Sequence, residues 1–218
     1  IADNNVYIVN YGYDTNGRIN SITQTDGSIL DISYDASGRV LSLVDSSTSN
    51  RSSSFVYGAV VNGLTSTTVT DATGAQEVYT YDANKRLVKI DTYASDNVTI
   101  AQSQAYAYNA NGDLISSTDG RGNNTVYEYN ADGNLTLQRD ALGNTLTQTW
   151  QAGTARLLSR TTYTLADPDG AGAQTASGAQ TSYFVYDTKG HLRYTVSPEG
   201  QVTEARYNTY GQKISELV

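Results

Sequence analysis

Apolar and polar residues alternate along short stretches of this chain, and each stretch is followed by residues that favour turns. Tyr79 and Tyr81 stand two positions apart, as do Tyr127 and Tyr129, and this spacing places both rings of a pair on one face of a strand. No window shows a sustained apolar period of 3.6 residues, so we expect no helix beyond short turns. The pattern predicts an all-β chain of short strands.

A seven-residue pattern recurs at intervals of about 21 residues. It consists of an aromatic residue, Asp or Asn, two variable residues, Gly, one variable residue and an apolar one. We call its first member the slot aromatic, and the turn that follows it the first turn. The slot aromatics are Tyr13, Tyr34, Tyr81, Tyr108, Tyr129, Trp150, Tyr186 and Tyr207. Self-similarity at a fixed period indicates a repeat architecture.

Each unit also carries a second turn. Examples run from Asp71 to Gly74, from Asp119 to Gly122 and from Asp140 to Gly143, and each of these glycines precedes the next slot aromatic by seven residues. Turns therefore fall every 10 or 11 residues. About six residues remain for a strand between turns, which is the usual strand length. The spacing predicts tandem β-hairpins.

The turn sequences have a chemical explanation. Asp or Asn at the first position accepts hydrogen bonds from backbone amides two residues further on. Gly at the fourth position takes a positive φ without steric cost, as a type I turn with a G1 bulge requires. Lys85 stands where this glycine is expected, and we predict that it costs roughly 1 kcal/mol.

The hairpins are predicted to join into one antiparallel sheet. An apolar residue six positions after the slot aromatic faces that ring across the turn, and such cross-strand pairs contribute about 0.2–1 kcal/mol each. Because a single hairpin is marginal in water, the units must pair edge to edge. We expect a single array of about eight units over residues 1–218, long enough to bury a core. Irregular spacings place loop insertions near 45–54, 93–99 and 166–180.

Composition and charge exclude several classes of function. The formal net charge is −8 at pH 7, and because such a surface repels phosphate backbones we expect no nucleic-acid partner. The chain has no cysteine, so it has neither disulfides nor Cys-based metal sites. No apolar run approaches the 18 residues of a transmembrane helix. We expect no cofactor and no membrane span.

The repeated Tyr-Asp-x-x-Gly-Arg-Leu sequence resembles the YD repeat of the RHS (rearrangement hot spot) proteins. The copies beginning at Tyr13 and Tyr34 show it most clearly, and the resemblance extends from about Tyr13 to Val218. Relatives include bacterial RHS polymorphic toxins, the B and C subunits of insecticidal toxin complexes, wall-associated bacterial proteins and the animal teneurins.

The resemblance implies a fold and a function. In these relatives the hairpins form a sheet that curves or spirals into a hollow β-shell, of which this chain would be a fragment, and the shell can enclose a toxic C-terminal polypeptide. The implied function is a non-catalytic structural segment of a large exported bacterial protein, secreted or at the cell surface. Its partners would be the remainder of its own polypeptide and a toxin cargo. Toxin relatives add a self-cleavage sequence, which Asp167-Pro-Asp-Gly170 does not match.

The same resemblance leaves open a second function, surface carbohydrate binding or adhesion through a receptor. Exposed aromatic residues outside the slots would carry it, and the candidates are Tyr93, Tyr163, Tyr194 and Tyr210. The slot aromatics themselves are expected to pack against one another as the main apolar face of the sheet.

No catalytic, cofactor-binding or metal-binding residue is predicted, and we do not expect an enzyme. Asp167 to Gly170 offers oxygen ligands of the kind that Ca²⁺ prefers, but no bidentate Glu follows. His191 is the only histidine. Because the sequence supplies it with neither a nucleophile nor an orienting partner, we interpret it as a solvated strand residue.

Sheet edges carry unpaired backbone amides, which invite pairing with another chain. We therefore predict self-association through the terminal hairpins. Sedimentation at high protein concentration should detect species larger than the monomer, and a strict monomer would contradict the prediction.

Overall fold

Short antiparallel strands joined by tight turns make up the protein. The computed structural model describes residues 8–46, 51–167 and 175–218, and within these ranges the chain forms no helix. Accordingly, the described residues include no helix that is long and apolar enough to cross a membrane. The all-β prediction is confirmed.

The strands have between five and ten residues each. They are β1 (Val9–Tyr13), β2 (Ile19–Gln24), β3 (Ile29–Tyr34), β4 (Val40–Asp45), β5 (Arg51–Tyr57), β6 (Thr65–Thr70), β7 (Gln76–Tyr81), β8 (Leu87–Tyr93), β9 (Ile100–Tyr108), β10 (Leu114–Thr118), β11 (Asn124–Tyr129), β12 (Leu135–Arg139), β13 (Thr145–Trp150), β14 (Leu157–Leu165), β15 (Ser177–Tyr186), β16 (Leu192–Val196), β17 (Val202–Tyr207) and β18 (Lys213–Leu217).

The chain divides into two units, Ile1–Ala105 and Tyr106–Val218. In the first unit each strand from β1 onward pairs antiparallel with the next, up to the pairing of β8 with β9. In the second unit the same holds from β10 to β18. Pairing of sequence neighbours in this way is the arrangement that tandem hairpins require.

The register confirms the expected contact across the first turn. Tyr13 lies opposite Ile19 and Tyr34 lies opposite Val40. In both hairpins the register shifts by one residue next to the slot aromatic, as a β-bulge does. The other pairs of this kind are Tyr81 with Leu87, Tyr129 with Leu135 and Tyr186 with Leu192. Trp150 also has an apolar partner, Leu157, but seven positions later instead of six. The slot of Tyr207 departs from the rule because its partner is Lys213.

The turns have the backbone conformation that their sequences predict. Gly17 (φ 76°) and Gly38 (φ 81°) close first turns, and Gly122 (φ 84°) closes a second turn. Lys85 takes the same left-handed conformation, with a φ of 65°. A side chain with a Cβ is strained there, as expected from the sequence.

Four connections differ from the regular hairpin. Strands β5 and β6 are joined through a tight two-residue turn at Asn62 and Gly63, whose positive φ values of 51° and 78° match a type I′ hairpin. Residues 94–99 connect β8 to β9. The predicted insertions near 45–54 and 166–180 include residues 47–50 and 168–174, which lie outside the described residues.

The sheet has no enclosed core in the part of the chain that the structure describes. None of these hydrophobic side chains is fully buried, and the buried residues there are Gly143 and the polar residues Asp91, Ser159 and Asp167. The expectation of a buried core from chain length is therefore wrong for these residues. Stability must come from contacts along the sheet, between one hairpin and the next.

The strained Lys85 gives a stability prediction. Lys85→Gly should raise the free energy of unfolding by about 1 kcal/mol, because glycine takes a positive φ without the Cβ clash. Urea denaturation followed by circular dichroism would measure it. As the matched control, Gly17→Ala should lower stability by a similar amount, since an added Cβ at Gly17 meets no atom within 4 Å and only the φ is at stake. An unchanged or lower stability of Lys85→Gly would contradict the prediction.

Candidate functional site

The first turn is held by one carboxylate. Oδ1 of Asp14 accepts hydrogen bonds from the backbone amides of Asn16 (2.8 Å) and Arg18 (2.9 Å). Its Oδ2 accepts from Nε of Arg18 at 2.7 Å, and Nη2 of the same guanidinium lies 2.7 Å away. The turns at Asp35 and Asp82 repeat this arrangement with Arg39 and Arg86. The Asp and the Arg of the repeated motif are thus partners within a single turn.

The same hydrogen bonds hold turns without an arginine. Asn130 accepts from the amides of Asp132 and Asn134, and Asp119 of a second turn accepts from those of Arg121 and Asn123. First and second turns are therefore chemically alike. The predicted capping of the turn by its own Asp or Asn is confirmed.

These bonds lower the pKa of the turn carboxylates. The backbone amide of Arg18 lowers the pKa of Asp14 below its usual 3.8, and the guanidinium of Arg18 adds to the effect. Asp35 and Asp82 are lowered for the same reasons. At Asp119 the side-chain amide of Asn123 is the largest cause of the lowered pKa.

Two of these arginines also reach the next hairpin. The guanidinium carbon of Arg18 lies 4.3 Å from the centre of the Tyr34 ring, and that of Arg39 lies 4.1 Å from the centre of the Tyr57 ring. The tyrosine hydroxyl in turn donates to a carbonyl of the previous hairpin, from Tyr34 to Ile19 at 2.6 Å. Every such contact joins one repeat to its successor.

The second unit repeats this contact with other side chains. The His191 ring stacks on the Tyr207 ring with centroids 4.7 Å apart, while its Nδ1 lies 3.0 Å from Oδ2 of Asp187. The Tyr207 hydroxyl donates to the carbonyl of Leu192 at 2.8 Å. The interpretation of His191 as a solvated strand residue is therefore wrong, because it is half-buried against Tyr207 in the position that arginine takes elsewhere.

The strand register explains why these contacts recur. Ser21 lies opposite Asp31, so Arg18 falls opposite Tyr34, and residues directly opposite each other share a face of the sheet. We call the residue placed opposite the next slot ring the rung residue. Tyr57 of β5 takes the place of a slot ring against Arg39 and is counted with the slot rings from here on. The rung residues set by the register within the two units are Arg18, Arg39, Thr65, Asp113, Asn134, Arg156 and His191.

The turn glycine has a second function that the sequence did not indicate. A Cβ added to Gly38 would lie 3.3 Å from Nη1 of Arg18, and one added to Gly211 would lie 2.9 Å from Nε2 of His191. At Gly190 such a Cβ would collide with the guanidinium of Arg156. At these three positions the glycine therefore leaves room for the rung residue of the preceding hairpin, in addition to accepting a positive φ.

The four tyrosines outside the slots differ in exposure. Tyr163 and Tyr194 are half-buried, with hydroxyls 3.2 Å from Oγ1 of Thr147 and 3.4 Å from Oε1 of Glu204. Tyr93 is half-buried at the end of β8, whereas Tyr210 is 88% exposed in the turn after β17. These positions give no support to a shared aromatic platform.

The structure also bears on the weak calcium motif. Asp167 is buried, and its backbone amide donates to the carbonyl of Gly143 at 3.0 Å. Asp169 and Gly170 lie outside the described residues. Within the described ranges, no group of three or more His, Asp or Glu side chains is arranged to hold a metal ion.

Two comparisons with known proteins agree with this geometry, and a third gave nothing. A family model described as RHS Repeat matches residues 108–145. The crystal structure of TcdB2-TccC3-Cdc42 is similar at a TM-score of 0.51 and 14% identity, over 96% of this chain and 13% of that chain. The crystal structure of TcdB2-TccC3-TEV gives 0.48 and 15%, over 95% and 13%. A Photorhabdus luminescens Tc holotoxin pore structure gives 0.31 and 16%, over 95% and 14%. No curated protein matches the chain.

At identities this low the structural likeness shows the fold alone. Paired turns, slot rings and rung residues define a tandem β-hairpin repeat protein. The RHS Repeat model matches one segment of this array, residues 108–145, which holds the slot aromatics Tyr108 and Tyr129 and the four turns that follow them. The chain spans 13% of the first TcdB2-TccC3 chain to which it is similar.

The lowered carboxylate pKa values predict acid sensitivity. Because the folded pKa of Asp14 lies below 3.8, its contribution to stability is present above that pH and is lost as pH falls through the folded pKa. The free energy of unfolding should therefore decrease as the pH is lowered from about 5. Asp14→Asn should make this decrease less steep. Urea denaturation at a series of pH values would measure it.

The reverse substitution is the control. Asn130 holds its turn without a charge, so Asn130→Asp should add to the loss of stability in acid. If neither substitution changes the pH dependence, the turn carboxylates are not its cause.

Proposed function

We propose that this chain is a non-catalytic wall segment of an RHS-type β-shell, within a large exported bacterial protein that encloses or presents a toxin. The rest of the same polypeptide would complete the wall and supply the cargo. The observation that carries the proposal is the fold likeness to the TcdB2-TccC3-Cdc42 structure, which covers 96% of this chain but 13% of that chain.

The open sheet supports a wall rather than an independent globular domain. A hydrophobic core normally contributes most of the stability of a domain, yet the described hydrophobic side chains are exposed or half-buried. The face opposite the slot rings carries hydrogen-bonded hydroxyl pairs across neighbouring strands. They are Ser33 with Ser42 at 2.6 Å, Thr149 with Ser159 at 2.6 Å and Thr161 with Thr181 at 2.8 Å. One face thus carries the slot rings, and the other carries these hydroxyl pairs together with exposed side chains such as Tyr183.

The state of the ionisable groups supports a non-catalytic function. A general base works best with a pKa near the operating pH. Hydrogen bonds from the Thr99 hydroxyl and from backbone amides of the turn instead lower the pKa of Asp96 to about 2. A hydrogen bond to Glu77 raises the pKa of Tyr79 to about 12. Glu204 is held between Arg193 at 2.6 Å and Arg206 at 2.9 Å. These side chains stabilise turns and strand pairs.

Enclosure of a cargo can be tested on the whole polypeptide. If the repeats enclose the region that follows them, limited proteolysis of the whole protein should leave that region intact while an unfolded sample is cleaved. Trp150→Ala should abolish this protection, because it removes a slot ring whose Nε1 donates to the carbonyl of Leu135 at 2.6 Å.

The matched control removes an aromatic ring that has no such contact. Tyr210→Ala should leave protection unchanged, since this side chain is 88% exposed. Equal cleavage of the downstream region in native and unfolded protein would refute enclosure. Equal loss of protection in both variants would show that the slot ring is not what closes the wall.

A further inference from the structure

The regular contact between hairpins is interrupted once in the first unit. The tight turn at Asn62 and Gly63 replaces the usual first turn, and residues 58–64 contain neither a charged side chain nor a histidine. The register places Thr65 opposite Tyr81, where Arg18 and Arg39 lie over their slot rings. A threonine is too short to cover the ring, and no cation lies over Tyr81 among the described residues.

Lys85 stands in the turn that faces this interruption. In the regular repeat the residue at its position is Gly, and at Gly38, Gly190 and Gly211 the preceding rung residue fills the space that a side chain would need. Because Thr65 does not reach so far, the Lys85 side chain has room there, although its φ of 65° is unfavourable. Strained residues of this kind concentrate at functional sites. The ammonium group forms no ion pair within the described part of the chain.

A groove of about 310 Å³ opens at this place, within the size range of small-ligand sites. The aromatic residues Tyr57 and Tyr81 line it together with Thr65, and Arg39 and Lys85 contribute positive charge. The guanidinium of Arg39 is already paired with Asp35 at 2.7 Å. Lys85 therefore leaves the groove with one unbalanced positive charge, in a chain whose net charge is −8.

The geometry selects both the shape and the charge of an occupant. In regular repeats a planar guanidinium lies about 4 Å from the slot ring, so a flat group fits the uncovered face of Tyr81. A planar cation would meet Lys85 without any carboxylate from residues 58–64 to balance it. A planar anion would instead pair with the ammonium. We propose that this groove binds a small planar carboxylate, stacked on Tyr81 with its carboxylate at Lys85.

Three probes of one shape and different charge test the proposal on the whole chain. Benzoate, benzamide and benzamidinium are all flat and of similar size, and they carry a negative charge, no charge and a positive charge. Each probe is titrated to about 10 mM and followed by NMR, so that dissociation constants in the millimolar range can be measured. Benzoate should bind most tightly and benzamidinium least tightly. Chemical shift changes should centre on Tyr81 and Lys85, and added salt should weaken benzoate binding.

The variants separate loss of the site from loss of the fold. Lys85→Gly should weaken benzoate binding by about tenfold or more while raising Tm by about 2–4 °C, since it relieves the unfavourable φ. Lys189→Ala removes an exposed lysine of another first turn and should leave binding unchanged. The double variant Thr65→Arg with Lys85→Gly rebuilds a regular rung and should abolish binding of all three probes.

Several outcomes would overturn the proposal. Absence of benzoate binding at the highest concentration would exclude the site. Equal affinity for benzoate and benzamide would exclude recognition of the carboxylate, and tighter binding of benzamidinium would show that the groove accepts a cation. Benzoate binding that survives Lys85→Gly would place the ligand elsewhere.

Discussion

The stability of this protein depends on a contact between each hairpin and the next, because the described sheet has no second layer to form a core. Adjacent strands share backbone hydrogen bonds, but an isolated hairpin remains marginal in water. Where the rung residue is an arginine such as Arg18 or Arg39, it adds a cation–π contact worth about 0.5–1 kcal/mol at exposed sites. The slot ring can add a hydrogen bond worth about 0.5–1.5 kcal/mol. These amounts are small for one repeat. Summed over consecutive repeats they favour an ordered array, in which stability is a sum of nearest-neighbour terms.

The sequence predicts the features of this contact that lie within a few residues of each other. The bond from Asp14 to the amide of Asn16, the positive φ of Gly17 and the pairing of Tyr13 with Ile19 all follow from local spacing. The strained Lys85 follows from the same reasoning, because the expected glycine is missing at a known position of the turn. Such features are predictable since turn chemistry is local.

The contacts between repeats were not predictable in the same way. The rung residue varies among Arg, Asp, Asn, His and Thr, so the sequence shows it as a variable position, and its partner stands 16 residues away in the case of Arg18 and Tyr34. Only the register of the sheet reveals that these two side chains meet. The prediction for His191 is wrong for this reason, because the ring on which it stacks, that of Tyr207, belongs to the following hairpin. The absence of an enclosed core among the described residues was equally unpredictable. Alternation of apolar and polar residues does not show whether another layer covers the apolar face.

The same contact explains how a uniform scaffold can acquire a distinct surface. Where Arg18 or His191 covers the next ring, the turn glycine is confined to a residue without a side chain. Where Thr65 takes the rung position, both the ring of Tyr81 and the space beside its turn are open, and a lysine is tolerated there. One change in the rung therefore alters two positions in the next repeat, the exposure of the slot ring and the choice of turn residue. In an array held by nearest-neighbour contacts such a change stays local, so binding chemistry can be introduced at an irregular repeat while the flanking hairpins keep their structure.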